Sequence, residues 1–222
     1  PAAIASRTLR TWGESESGLD ELLAPRMAEL DQLGNPTLAF LASGVEGLKV
    51  RITAKAADTA TATSIVDDEA DRLRTLLGPL VFGTDHDNME SAVLAMLEAR
   101  GHTLGVAESL TGGLLGSRLA SVPGASAVFR GGIVAYHPEV KQQLLDVPVG
   151  PVVTETVALA MARGACARLG TEVGLATTGV AGPDALEGDS PGTVCMAAVW
   201  PDGAAAITPK LPAARQQGRE VA

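Results

Sequence analysis

Three short stretches in the second half of the chain carry side chains that can do chemistry. Ala107-Glu108-Ser109-Leu110-Thr111-Gly112-Gly113 stands where an apolar run ends and a helical run opens. Such a junction exposes backbone N–H groups and the positive end of a helix dipole. Those groups hold an anion, or the oxyanion that develops during acyl transfer. Ser109 is then a candidate nucleophile. The plainer reading is that Ser109 or Thr111 caps the helix and the glycines make the turn. The stretch is neither a Gly-x-Ser-x-Gly elbow nor a phosphate-binding loop ending in Gly-Lys-Ser/Thr.

The second stretch runs from Arg130-Gly131-Gly132 through Tyr136-His137-Pro138 to Lys141. Tyr136 is the only tyrosine, and Lys141 is one of four lysines with Lys49, Lys55 and Lys210. A serine nucleophile needs a base, and a desolvated lysine serves, directly or through a phenol. The alternative is a solvated helix lysine and a tyrosine that caps the core. His137 is a competing base but, at a turn before Pro138, reads as a surface residue. The third stretch is Thr177-Thr178-Gly179-Val180-Ala181-Gly182-Pro183-Asp184. Ligands collect at the carboxyl ends of strands in open α/β sheets, and Gly179 and Gly182 let a ligand approach the backbone. A plain loop is the competing reading. If the three strands are parallel neighbours, Ser109, Tyr136 and Thr178 converge on one edge.

The elements that must position these residues follow from periodicity. Residues 88–222 alternate helix and strand: helices over 89–99, 112–120, 154–169 and after Pro138, and strands over 103–107, 127–136, 174–178 and 193–199. That alternation predicts an α/β domain with helices packed on the sheet. Residues 1–82 read as a small α+β unit, ordered strand, helix, strand, strand, helix. The strands span 5–12, 37–42 and 48–54; the helices span 17–33, with Ser17 as N-cap, and 63–77. Val50, Ile52 and Ala54 alternate with Lys49, Arg51 and Thr53. The turn-rich 83–88 stretch is the expected linker. Asp67-Asp68-Glu69 reads as a solvated helix face, Gly44-Val45-Glu46-Gly47 as a hairpin turn, and Arg215 and Arg219 as surface arginines able to meet a phosphate.

Composition bounds the function. The 222 residues are 46% hydrophobic and 19% charged, which excludes a disordered chain. No apolar run reaches a membrane span, and no secretory leader is read. The chain opens on Pro1 rather than Met, which points to a further N-terminal segment. A net charge of −9 argues against broad nucleic-acid backbone binding but allows one local anion site. Cys166 and Cys195 make no disulfide framework, so a cytoplasmic setting is expected, and with three scattered histidines no metal site is expected.

Residues 88–222 resemble the C-terminal domain of the CinA family of competence/damage-inducible proteins, which is also the stand-alone bacterial nicotinamide mononucleotide deamidase. The resemblance rests on Ala107-Glu108-Ser109-x-Thr111-Gly112-Gly113, Val122-Pro123-Gly124-Ala125-Ser126, Gly132-Ile133-Val134-Ala135-Tyr136, Lys141, Thr178-Gly179-Val180-Ala181-Gly182-Pro183 and Gly192-Thr193-Val194, in that order. Residues 1–82 resemble the KH-like middle domain of full-length members. The resemblance implies an α/β fold: a three-layer α/β/α C-terminal domain behind a small α+β domain. It implies hydrolysis of the nicotinamide amide to nicotinate mononucleotide and ammonia. Ser109 is the implied nucleophile, with Tyr136 and Lys141 activating it. Thr111, Gly112 and Gly113 would hold the oxyanion, Thr178, Gly179 and Gly182 the substrate, and Arg215 would lie near it. The scheme needs no cofactor and no metal, and it implies a small-molecule nucleotide substrate and a homodimer. The molybdopterin-binding-like domain of full-length members has no counterpart in these residues, so its pyrophosphatase is not carried over. The alternative is a non-catalytic nucleotide-binding module with a regulatory role.

Overall fold

The computed structural model describes residues 2–42, 46–211 and 215–222, with the side chains of Ala42 and Arg215 outside that description. Gly44 and Val45 of the expected hairpin turn also lie outside it. The chain divides into two compact units, Pro1–Ala92 and Val93–Ala222.

The first unit runs β1 (Ala3–Thr11), α1 (Glu16–Leu33), β2 (Thr37–Ala42), β3 (Leu48–Ala56), α2 (Thr59–Leu77) and β4 (Val81–Thr84). Its sheet has the order β2-β3-β1-β4 and is antiparallel throughout. The alternation of Val50, Ile52 and Ala54 turns one face of β3 onto Leu9, Leu19, Leu23, Val66 and Leu73. β4 was not expected, because it is only four residues long, its last two, Gly83 and Thr84, fall in the turn-rich stretch, and it pairs with β1 only through the tertiary fold. Two local expectations are corrected. Ser15, not Ser17, caps α1, its hydroxyl accepting from Gly18 N–H at 3.0 Å. Glu69 is not on a solvated face. It is 3% exposed and accepts two hydrogen bonds from Arg26, at 2.8 and 2.5 Å, because α1 packs over that position.

The second unit runs α3 (Met89–Ala99, within which the division falls), β5 (Leu104–Glu108), α4 (Leu114–Ala120), β6 (Phe129–Val134), α5 (Pro138–Leu145), α6 (Glu155–Leu169), β7 (Val173–Gly179), β8 (Val194–Trp200), β9 (Gly203–Ile207) and α7 (Arg215–Val221). The sheet order is β6-β5-β7-β8-β9. β6, β5 and β7 are parallel, and β8 and β9 complete the sheet antiparallel. The pleat sorts side chains into two cores. Leu104, Val106, Val173 and Leu175 meet Leu94, Leu97 and Leu119 of α3 and α4. Ala107, Ala176, Ala197 and Val199 meet Ala158, Met161, Ala162 and Ala165 of α6. The domain is therefore three layers, as expected. Small residues let α6 lie close: a Cβ on Gly174 would sit 2.3 Å from the Ala162 carbonyl oxygen. β9 was not expected, since Gly203-Ala204-Ala205-Ala206 has no alternation to read. Among the described residues, no helix is long and apolar enough to cross a membrane.

Candidate active site

β5 is buried along its whole length because a parallel strand lies on each side and helices cover both faces. In register, Glu108 stands beside Val134 of β6 and Thr177 of β7. The residues that follow each strand therefore leave the sheet at one edge. Two hydrogen bonds carry the alignment past the strand ends: Ser109 N–H to Thr177 O at 2.9 Å and Ala135 N–H to Glu108 O at 2.8 Å. A cleft of about 470 Å³ opens there, with Ser109, Tyr136, Lys141, Thr178 and Gly179 in its wall, and Gly182, Asp184 and Glu187 from the segment after β7. The convergence expected of Ser109, Tyr136 and Thr178 is thus present.

Lys141 is set by α5. Pro138 opens that helix, and the exposed His137 caps it by accepting from Glu139 N–H at 3.4 Å. One turn later Lys141 points inward and is 1% exposed, not solvated. Its Nζ donates to Tyr136 O at 3.0 Å. Burial pushes the Lys141 pKa below its usual range, and the Glu187 carboxylate pulls it partly back up. Tyr136 is 56% exposed and faces the cleft, so it does not cap the core. Ser109 is 7% exposed, and among the described residues its hydroxyl makes no hydrogen bond. Leu110 is buried.

The turn after Ser109 corrects the sequence reading in a specific way. Neither Ser109 nor Thr111 caps α4. The cap position is Gly113, at φ +96° without a capping side chain. The Glu108 carboxylate reaches over instead, accepting from Gly113 N–H at 2.9 Å, Leu115 N–H at 3.0 Å and Gly116 N–H at 2.7 Å. Gly112 N–H donates to Ser109 O at 3.0 Å. The N–H groups of Gly112 and Gly113, assigned to an oxyanion, are therefore already committed. Among the described residues, those of Leu110 and Thr111 are the uncommitted donors of this turn. The Thr111 hydroxyl is buried against that of Thr177 at 2.8 Å and lines no part of the cleft.

Other assigned residues sort similarly. Thr178 is in the cleft wall, but its hydroxyl donates to Val152 O at 2.8 Å. Gly179 lines the cleft, yet its missing Cβ faces β8, where it would lie 2.5 Å from Thr193 O. Its glycine serves strand packing rather than ligand approach. Arg215 opens α7, and its side chain lies outside the described residues. Arg219 is no surface arginine: it is partly buried and its Nη2 donates to Thr111 O at 2.8 Å. Sequence reasoning assigned no part to Glu187, whose Oε2 accepts from Val152 N–H at 2.7 Å, nor any role to Glu108. Glu108 carried a signal, being a charged residue closing an otherwise apolar strand. Glu187 carried none. Among the described residues, no three His, Cys, Asp or Glu side chains are grouped to hold a metal.

These features define a three-layer α/β domain, with a serine and a buried lysine sharing one cleft, which follows a small α+β unit in the chain. The family described as CinA C-terminal domain matches residues 86–222, and the damage-inducible protein CinA KH domain matches residues 6–83. The chain belongs to the CinA family. It is 46% identical over 227 aligned positions to a CinA-like protein of Frankia casuarinae, covering 100% of this chain and 52% of the relative. It is 42% identical over 221 positions to a CinA-like protein of Parasynechococcus marenigrum, covering 97% of this chain and 52% of the relative. The chain thus spans about half the length of the curated relatives it matches. Among solved structures, the competence-damaged protein (CinA) superfamily protein of Escherichia coli aligns with a TM-score of 0.59 at 29% identity, over 60% of this chain and 81% of that one. The competence damage-inducible protein A of Klebsiella pneumoniae aligns at 0.57 and 28%, over 59% and 85%.

Proposed function

We propose that the cleft hydrolyses the amide of nicotinamide mononucleotide, giving nicotinate mononucleotide and ammonia. The observation that carries this reading is the buried lysine sharing a cleft with an unengaged serine hydroxyl. Desolvation favours the neutral amine of Lys141, the form that acts as a base. Lys141 Nζ takes the Ser109 proton, directly or through the Tyr136 phenol, as Oγ attacks the amide carbon. The tetrahedral oxyanion is met by the free N–H groups of Leu110 and Thr111 rather than by those of Gly112 and Gly113. The C–N bond breaks, Lys141 returns the proton to the leaving nitrogen, and ammonia departs. Water, deprotonated by the same amine, then attacks the Ser109 ester, releasing the carboxylate and restoring the serine. Tyr136, exposed at the mouth, offers its ring to the pyridinium of the substrate.

The test is ammonia release from nicotinamide mononucleotide by the purified chain, with Ser109→Ala beside it. Turnover in the first and background release in the second is the expected result. Wild-type turnover retained by Ser109→Ala overturns the nucleophile. Binding without any release overturns the amidase reading in favour of a regulatory module.

A further inference from the structure

We infer that Glu108 is a positioning residue for Ser109: its buried side chain is a strut that clamps the nucleophile turn between β5 and α4. This rests on the reading of Ser109 as nucleophile. Glu108 is anchored at both ends. Its backbone belongs to β5 and its carbonyl accepts from Ala135 N–H at 2.8 Å. Its carboxylate, on a residue 1% exposed, collects three N–H groups at the head of α4. Between these two attachments the chain makes only Ser109-Leu110-Thr111-Gly112, and Ser109 is the first residue of that closed loop.

A helix of this kind is ordinarily capped by a short polar side chain at the cap position itself. Here that position is a glycine at φ +96°, preceded by another at φ +61°, conformations that side-chain-bearing residues rarely adopt. The cap is supplied from five residues upstream, across the turn. Gly116 completes the arrangement. A Cβ there would lie 3.2 Å from Glu108 Oε1, so a glycine inside the helix makes the room the carboxylate occupies. A glycine in a helix interior is unfavourable to the helix. That cost, the buried charge and the two left-handed glycines have one joint product, which is a turn of fixed geometry beginning at Ser109. Arg219 Nη2 also holds the turn, donating to the Thr111 carbonyl at 2.8 Å. The strut also spends the helix terminus, so the oxyanion donors must come from within the turn it clamps.

The experiment measures Ser109 reactivity without substrate, as the rate of labelling by a fluorophosphonate probe mapped to Ser109 by mass spectrometry. Two variants are compared with the wild type. Glu108→Gln keeps the shape but presents an NH₂ group to backbone donors. Gly116→Ala leaves the charge intact and crowds Oε1, while alanine is the better helix former. Displacement of a reacting atom by about 1 Å costs on the order of a hundredfold, so Glu108→Gln is expected to label roughly tenfold to a hundredfold more slowly, and Gly116→Ala, whose methyl group moves Oε1 by only a fraction of that distance, roughly two- to fivefold more slowly. Gly116→Ala is expected to do so without a lowered melting midpoint, which a merely structural role for Glu108 does not produce, and it stands by itself where Glu108→Gln is too unstable to assay. Folded variants that label at the wild-type rate overturn the strut. A wild type that labels at Ser109, with slowed variants, but releases no ammonia from nicotinamide mononucleotide upholds the strut and overturns only the assigned substrate.

Discussion

Lys141→Met separates the stability of this site from its chemistry. Lys141 is 1% exposed, and among the described residues its Nζ makes one hydrogen bond, to Tyr136 O at 3.0 Å. Removing an ammonium from water costs several kcal/mol in a real protein interior. One hydrogen bond from a charged donor returns about 1.5–3 kcal/mol. Methionine has similar length and no charge, so the variant is expected to be more stable at pH 7 by about 1–2 kcal/mol. The same change removes the base, which costs roughly 10² to 10⁴ in rate, or about 2.7–5.4 kcal/mol of barrier. pH gives the discriminating signature. The folded protein holds the Lys141 proton less tightly than an unfolded chain, where lysine titrates at its ordinary 10.5. Between the lowered folded pKa and 10.5 the unfolded state binds more protons, so wild-type stability rises with pH across that window. The methionine variant lacks this contribution. Its advantage is therefore largest at neutral pH and shrinks as pH approaches 10.5. The tryptophans are Trp12 and Trp200, one in each unit, so urea unfolding followed by Trp200 fluorescence in a Trp12→Phe background reports the second unit. A methionine variant that is less stable at pH 7, or one that still releases ammonia at the wild-type rate, refutes the reasoning.

Three further outcomes follow from the geometry. Glu187→Gln keeps an acceptor for Val152 N–H but removes the charge that raises the Lys141 pKa, so the acidic limb of the pH profile of kcat/KM is expected to move to lower pH; a limb that stays put or moves up disproves the assignment of Lys141 as base. Thr111→Val and Thr177→Val each strand a buried hydroxyl whose partner lay at 2.8 Å, costing about 1–3 kcal/mol. The double variant should cost less than the sum by about 1 kcal/mol in denaturant unfolding, and strict additivity counts against the pair. Gly164→Ala would place a Cβ 2.5 Å from Leu145 O and force α5 away from α6, with an expected loss of about 1–3 kcal/mol and a fall in activity because Lys141 rides on α5; an unchanged melting midpoint contradicts this.

Much of the site was legible because parallel β-structure has a simple rule: chemistry gathers where strands end. Ser109, Tyr136 and Thr178 each follow an apolar run, and three such runs in an α/β pattern place their ends together without knowledge of any contact. Helices with long apolar periodicity, such as α3 and α6, were equally plain, and the alternation of β3 told which face was inside.

What the sequence could not determine was set by contacts between distant residues. A lysine five residues after a tyrosine reads the same whether solvated or buried, and only the packing of α5 against α6, with Gly164 at Leu145, puts it in the interior. Glu187 reaches the Lys141 neighbourhood from a loop 46 positions further along the chain. The Thr111–Thr177 pair spans 66 positions and the Arg219–Thr111 contact 108. β4 and β9 are short edge strands whose pairing comes from the neighbour rather than from their own pattern. Glu108 is the sharpest case. Its type and place marked it as unusual, but which helix its carboxylate would cap, and hence which N–H groups remain for an oxyanion, was decided only when β5 and α4 came together in the tertiary fold. Periodicity records what a residue prefers to face, whereas hydrogen-bond partners are assigned by the geometry of the closed structure.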